Sequence, residues 1–366
     1  MNGAFVCDGS NCIRVKVDIN RQPDEINGVS WHVPENCSVF QEPQNVSDGQ
    51  LRALAASGLG SRLVARLIVK LGSLELAGNA TIQQLKQVGM SQRSASKCYQ
   101  SMAKVKPELL RSQMRDHELG LISIDDPGYP PLLRLIPDPP VALWGRGRFE
   151  ALEPPTLAIV GSRRCSAHGA RLAWRFSSQL ASWGLTLVSG GARGIDACAH
   201  RAALSVGGRT VVVLGSGHGH CYPADHAELF GDIVEQEGVV VSEFAPMVEP
   251  RPGHFPRRNR IVSGLSLGVL VIEAGSRSGA LITARLAAEE HGREVLALPA
   301  CVDTCEAVGS LGLLAKGEAH MVTTPKDVVG QLLTSKNLLA AAREQHVRRW
   351  GPPSKEPSVS SDGVHQ

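Results

Sequence analysis

Between Thr156 and Ala300 six short apolar runs, TLAIVGS, LTLVSGG, TVVVLGS, VVVSEF, LGVLVIEA and EVLALPA, alternate with stretches of helical periodicity. Runs so continuous in Val, Ile and Leu have no polar face, so a sheet made from them must be covered on both sides. The intervening helices supply that cover. The pattern therefore predicts an α/β domain, a Rossmann-like doubly wound and mostly parallel sheet, over residues 151–333. Right-handed crossovers bring every strand's C-terminal end to one edge, where open α/β sheets bind their ligands.

The chain of 366 residues leaves room for more than this domain. Residues 1–48 read as a polar leader, in which Ile13, Val15, Val17 and Ile19 alternate like one short strand. Residues 49–112 turn helical and nearly repeat, as LAASGLGSRLVARL (54–67) and LKQVGMSQRSASKC (85–98). Such a pair predicts helix-hairpin-helix units, whose glycine turn presents backbone N–H groups to a phosphate. A plain helical bundle with glycine C-caps accounts for the same pattern. The second copy carries Gly89-Met90-Ser91, a degraded turn. Residues 113–150, with DDPGYPPLLRLIPDPPVALWGRG, read as a proline-rich connector packed over the next domain. Residues 334–366 read as a helix and a tail too polar to fold alone.

The net charge of +3 does not announce a partner, but its distribution is uneven. Thr156 to Ile195 holds five arginines and no acid, and Pro250 to Ile272 holds Arg251, Arg257, Arg258 and Arg260, again with no acid. Two such stretches in one domain predict a positive face. Nine scattered cysteines and the start MNGAFVCDGSN point to a reduced cytoplasm and no signal peptide. No apolar run reaches the ~18 residues that a membrane span needs.

Four strand ends carry informative loops: Gly161-Ser162-Arg163-Arg164, Gly190-Gly191-Ala192-Arg193-Gly194, Gly215-Ser216-Gly217 and Glu273-Ala274-Gly275-Ser276-Arg277-Ser278-Gly279. Glycine admits close backbone approach, and each following helix start offers free N–H donors, so four converging loops imply an anion site. It is not a dinucleotide site, because GSRRCS replaces the Gly-x-Gly-x-x-Gly fingerprint and no acid follows the second strand. A nucleoside-monophosphate or phosphoribosyl hydrolase using Glu273 as an acid is the alternative. Asp196 and His200 share a helix face, as a catalytic pair or as a cap that orients a histidine. His218, His220, Cys221 and His226 resemble metal ligands by type but not by spacing, so neither metal nor cofactor is expected. FPRRNR (255–260) follows the fourth strand as a loop before the helix RIVSGLS. Its arginines either fork phosphate oxygens or pair with Glu243, and Phe255 offers a face on which a base can stack.

From Gly128 to about Val322 these residues resemble the DNA-processing protein A family, also called Smf. The matching stretches are YPPLLRLIPDPP, LWGRG, GSR, SGGARGID, VLGSG with YP, SEF, FPRRNRIVSGLS and EA ending SGALITAR. The resemblance implies a non-enzymatic Rossmann-like protein that binds single-stranded DNA in a basic pocket. It further implies a homodimer that protects incoming DNA and loads the RecA recombinase in natural transformation. Carried over by motif, the DNA contacts are Ser162, Arg163, Gly191, Phe255, Arg258, Asn259 and Arg260, with Ser278 and Gly279 facing them; Arg193 joins them from the second loop. An N-terminal domain of sterile-alpha-motif or helix-hairpin-helix type also fits the family. The chain departs from the family pattern at Ala300, where glycine is usual, at Leu311 in place of asparagine, and at Gly317-Glu318.

Overall fold

The computed structural model describes residues 5–6, 13–14, 41–56, 60–302 and 304–334. Most of the predicted leader and the C-terminal tail therefore lie outside the described residues, as does part of the first glycine hairpin. Two short strands, β1 (Phe5–Val6) and β2 (Ile13–Arg14), pair antiparallel near the N-terminus.

Six helices follow: α1 (Asp48–Ala55), α2 (Ser61–Leu71), α3 (Leu74–Gly78), α4 (Ile82–Gln87), α5 (Gln92–Lys104) and α6 (Pro107–Asp116). Local sequence fixes their ends. Ser47 and Thr81 form capping boxes with Gln50 and Gln84, and Ser91 caps α5. Gly72, at φ 102°, ends α2 in the left-handed conformation. The degraded turn around Gly89 nonetheless makes a tight hairpin from α4 to α5. Helices α1 and α3 cross backbone to backbone, since a Cβ on Gly78 would lie 1.7 Å from the Gly49 carbonyl oxygen.

The sheet has nine strands in the order β3–β4–β8–β7–β6–β5–β9–β10–β11. Its members are β3 (Gly120–Ser123), β4 (Ala142–Gly147), β5 (Thr156–Val160), β6 (Thr186–Ser189), β7 (Thr210–Val213), β8 (Val239–Ser242), β9 (Gly268–Val271), β10 (Glu294–Ala297) and β11 (His320–Met321). All six predicted strands are present and mutually parallel where they pair. The expected connector over 113–150 is corrected: β3 and β4 are strands of the sheet itself, paired antiparallel to each other, with β4 also antiparallel to β8. The proline-rich segment between them forms the short helix α7 (Pro131–Arg134).

The helices α8 (Ala167–Ser182), α9 (Ile195–Leu204), α10 (Ala227–Glu235), α11 (His254–Gly264), α12 (Gly279–Arg285), α13 (Val308–Ala315) and α14 (Pro325–Thr334) complete the domain. Strand β5 shows why both faces must be covered. Leu157 and Ile159 pack with Phe176 and Leu180 of α8, whereas Ala158 and Val160 join the core that contains Ile261 of α11 and Ala284 of α12. That second core also takes in Val64, Leu67, Leu85 and Met102, so the N-terminal helices and the sheet share one apolar interior. The chain winds from β5 through β6 and β7 to β8, then returns to lay β9 on the other side of β5. The direction of winding switches between β5 and β9, the kind of position beyond which open α/β sheets bind their ligands.

Two consequences follow for stability. Gly78→Ala forces the α1 and α3 backbones apart and is expected to cost about 1–3 kcal/mol in a urea titration. His200 is fully buried, and burial lowers its pKa from 6.5 to about 3. Between those values the unfolded chain takes up a proton that the folded chain refuses. Stability present above about pH 6.5 is therefore lost as pH falls, by at most ~1.4 kcal/mol per unit for this group. Urea midpoints from pH 7.5 down to pH 4.5 should fall less steeply in His200→Asn than in the parent.

Candidate nucleic-acid interface

The strand-end loops lock to one another before they present anything to a ligand. Ser162 N–H donates to the Glu273 carbonyl at 2.7 Å, and Ile195 N–H donates to the Ser162 carbonyl at 3.2 Å. Gly194, at φ 79°, starts α9 so close to the first loop that a Cβ there would lie 2.3 Å from the Ser162 oxygen. Glu273 is 3% exposed. Its carboxylate accepts the Ser166 N–H at 2.7 Å and the Ser166 hydroxyl, which pins the start of α8. It is a structural anchor in this arrangement rather than a free acid beside a phosphate.

The predicted loop FPRRNR is corrected to the opening turns of α11, which begins at His254. A helix sends these side chains in different directions. Arg258 turns inward and is 4% exposed, with its guanidinium donating to the carbonyls of Gly190 and Val213. Burial pulls its pKa down to about 10, opposed by the nearby Asp196 carboxylate, so it stays charged at neutral pH. Arg260 is 7% exposed and donates to Glu243 at 2.6 Å, with Asp138 at 3.6 Å. Arg257, exposed, shares the same Glu243 at 3.0 Å and donates to Ser61 of α2 at 3.1 Å. Of the two fates open to the arginines of this segment, Arg257 and Arg260 take the pairing with Glu243. Asn259 bridges outward, donating to the Gly279 carbonyl at 3.2 Å.

Phe255 stays at the surface. Its ring lies against Gly215, where a Cβ would come within 2.7 Å of it, and beside the Tyr222 ring at 5.2 Å between centroids. The exposed guanidinium of Arg163 sits 5.4 Å above the same ring. No carboxylate pairs with Arg163 among the described residues. A cation held on an aromatic face, with a second ring adjoining, matches what a phosphate followed by a base requires.

The remaining candidates divide. Ser162 receives the Arg164 N–H on its hydroxyl, and Ser278 caps α12 by accepting the Ala280 N–H. Gly279 is exposed with open space above it. Gly191 is buried at φ 66° against Val212 and Phe230, so it shapes the loop from beneath. Arg193 is exposed but held by Asp225 through two hydrogen bonds, at 2.8 and 3.1 Å. Asp196 accepts the N–H groups of Gly190 and Ala192, holding the loop before its own helix. The suggested link to His200 is corrected, because that imidazole bonds the Thr210 hydroxyl at 2.7 Å. His218 and His226 bond the carbonyls of Val240 and Gly191, and Cys221 that of Pro223. Sequence reasoning missed Tyr222 as a site residue; its signal was the Tyr-Pro pair after the third glycine loop.

Residues 120–333 match the family model described as DNA recombination-mediator protein A. The chain is 42% identical over 261 residues to protein Smf of Escherichia coli, covering 71% of this chain and 69% of that one. It is also 42% identical over 209 residues to DNA processing protein DprA of Streptococcus pneumoniae, covering 57% and 73%. The crystal structure of the pneumococcal protein superposes with a TM-score of 0.69 at 32% identity, over 78% of this chain and 98% of that one. DNA processing protein A of Helicobacter pylori, whose structure concerns its single-stranded DNA binding mode, superposes at 0.53 with 29% identity, over 58% and 96%. The sheet with its switch point, the ordered strand-end loops and these matches together make this chain a member of the DNA recombination-mediator protein A family.

Proposed function

We propose that this protein binds single-stranded DNA across a crevice along the C-terminal edge of the sheet, from the loops after β9 and β5 to the rings beyond β7, with little preference for sequence. The observation that carries the reading is Arg163 stacked on Phe255, exposed and unneutralised, with Tyr222 alongside. Arg163 takes a phosphate oxygen, the two rings take bases, and Ser162, Ser278, Gly279 and Asn259 line the path of the backbone. Arg193 joins them by exchanging Asp225 for a phosphate. Arg258 and Arg260 act from beneath as positioning residues. The role is binding, not catalysis, and the engagement of Glu273 with Ser166 supports that over hydrolysis.

The family resemblance extends the proposal. The bound strand is protected and handed to the RecA recombinase during natural transformation, in the cytoplasm, by a homodimer. Exposed Val302, Val308 and Met321, in the C-terminal part of the chain that includes edge strand β11, offer apolar surface for a second copy. No described helix is long and apolar enough to cross a membrane.

Arg163→Ala should weaken binding of a labelled dT oligonucleotide and reduce the salt slope by about 0.7. Phe255→Ala should weaken it by roughly tenfold or more while leaving that slope intact, because stacking carries no counterion. Arg258→Lys should lower the melting temperature and leave the slope unchanged, since the shorter side chain stops short of where one terminal nitrogen of Arg258 meets both carbonyls. If instead Arg258→Lys weakens DNA binding at an unchanged melting temperature, Arg258 is a direct phosphate ligand. RecA nucleation on a single strand should quicken with the parent protein and not with Arg163→Ala. No acceleration by the parent removes the loading step alone.

A further inference from the structure

Between Gly60 and Lys106 the helical segment carries eight cations, Arg62, Arg66, Lys70, Lys86, Arg93, Lys97, Lys104 and Lys106, against one carboxylate, Glu75. That is +7 in a chain whose net charge is +3, so the rest of the protein is on balance acidic. All eight are exposed, and among the described residues only Arg62 has a carboxylate partner, Asp138 at 3.7 Å. A face that serves only to be solvated usually mixes signs, because like charges at helical spacing repel. Here Arg62, Arg66 and Lys70 follow each other at four-residue intervals on α2, and Arg93 and Lys97 repeat that interval on α5.

The basic stripe is also continuous with the crevice. Ser61, the first residue of α2, accepts a hydrogen bond from Arg257 of α11, two residues after Phe255. One turn on, Arg66 reaches the second hairpin, donating to the Val88 carbonyl at 3.4 Å with its guanidinium 3.6 Å from the Cβ position of Gly89. The hairpin then leads into α5 and Arg93. We infer that the N-terminal helices form a second backbone-contact surface, on which a single strand leaving the Arg163–Phe255 crevice continues past Arg257 along α2 to the second hairpin. This rests on the binding proposed for the crevice and adds a surface to it. The contact is electrostatic and sequence-blind, made by Arg66, Arg93 and Lys97 to phosphates.

The test compares the full-length parent with Arg66→Ala/Arg93→Ala/Lys97→Ala, exposed helical positions where alanine preserves the helices. Two labelled dT oligonucleotides are used, one of about six nucleotides that fills the crevice and one of about thirty that extends beyond it. The triple variant should bind the short strand as the parent does. It should bind the long strand roughly ten- to a hundredfold more weakly near 0.1 M salt, with the slope reduced by about 2. Arg66→Lys/Arg93→Lys, with Lys97 retained, should preserve parental affinity. Unchanged long-strand affinity and slope in the triple variant overturn the inference, and the crevice reading survives if Arg163→Ala still weakens both lengths. If Arg163→Ala weakens neither, the crevice reading fails. Loss of binding to phosphatidylserine vesicles in the triple variant, with DNA binding intact, also overturns the inference and assigns the face to a membrane surface.

Discussion

A guanidinium shut away from water at the strand ends holds this site together. Arg258 donates to the carbonyls of Gly190 and Val213, tying the ends of β6 and β7 to the first turns of α11. Stripping an arginine of its hydration is tolerable only where fixed acceptors replace the water, and here two backbone carbonyls and the nearby Asp196 do so. The position of α11 follows from that anchor. Phe255, one turn earlier on the same helix, is thereby laid against Gly215 within reach of Arg163.

The chain thus uses arginine in two ways around one site. Where the side chain points inward its charge is satisfied internally, as with Arg258 by carbonyls and Arg260 by Glu243 and Asp138. Where it points outward over an aromatic ring, as with Arg163, the charge remains available. A phosphate approaching the crevice meets few free cations, set on a rigid frame, rather than the crowd that the sequence suggests. Rigidity matters because binding a flexible strand already costs the order of that strand.

Much of the fold was legible. Six apolar runs gave six parallel strands, since their lack of a polar face admits little else. Strands β3 and β4 were hidden because prolines and aspartates between them read as a connector, and an antiparallel pair of four and six residues at one side of the sheet leaves a weak periodic trace. The glycine loops were placed from sequence because strand direction alone fixes their edge. The roles of the arginines were not, because composition reports charge without direction. Only the helical register of α11 shows Arg258 pointing inward, and only the tertiary fold brings Glu243 beneath Arg257 and Arg260. Tyr222 escaped notice for the same reason: it lies 33 positions before Phe255, yet their ring centroids are 5.2 Å apart.

The central claim is that a single strand stacks on the rings beyond β7, beside the Arg163 loop of β5. Photo-crosslinking a 5-iodouridine oligonucleotide to the full-length protein, followed by peptide mapping, reports that contact directly. The account predicts adducts on Phe255 and Tyr222. Adducts confined to peptides that contain neither residue would contradict it.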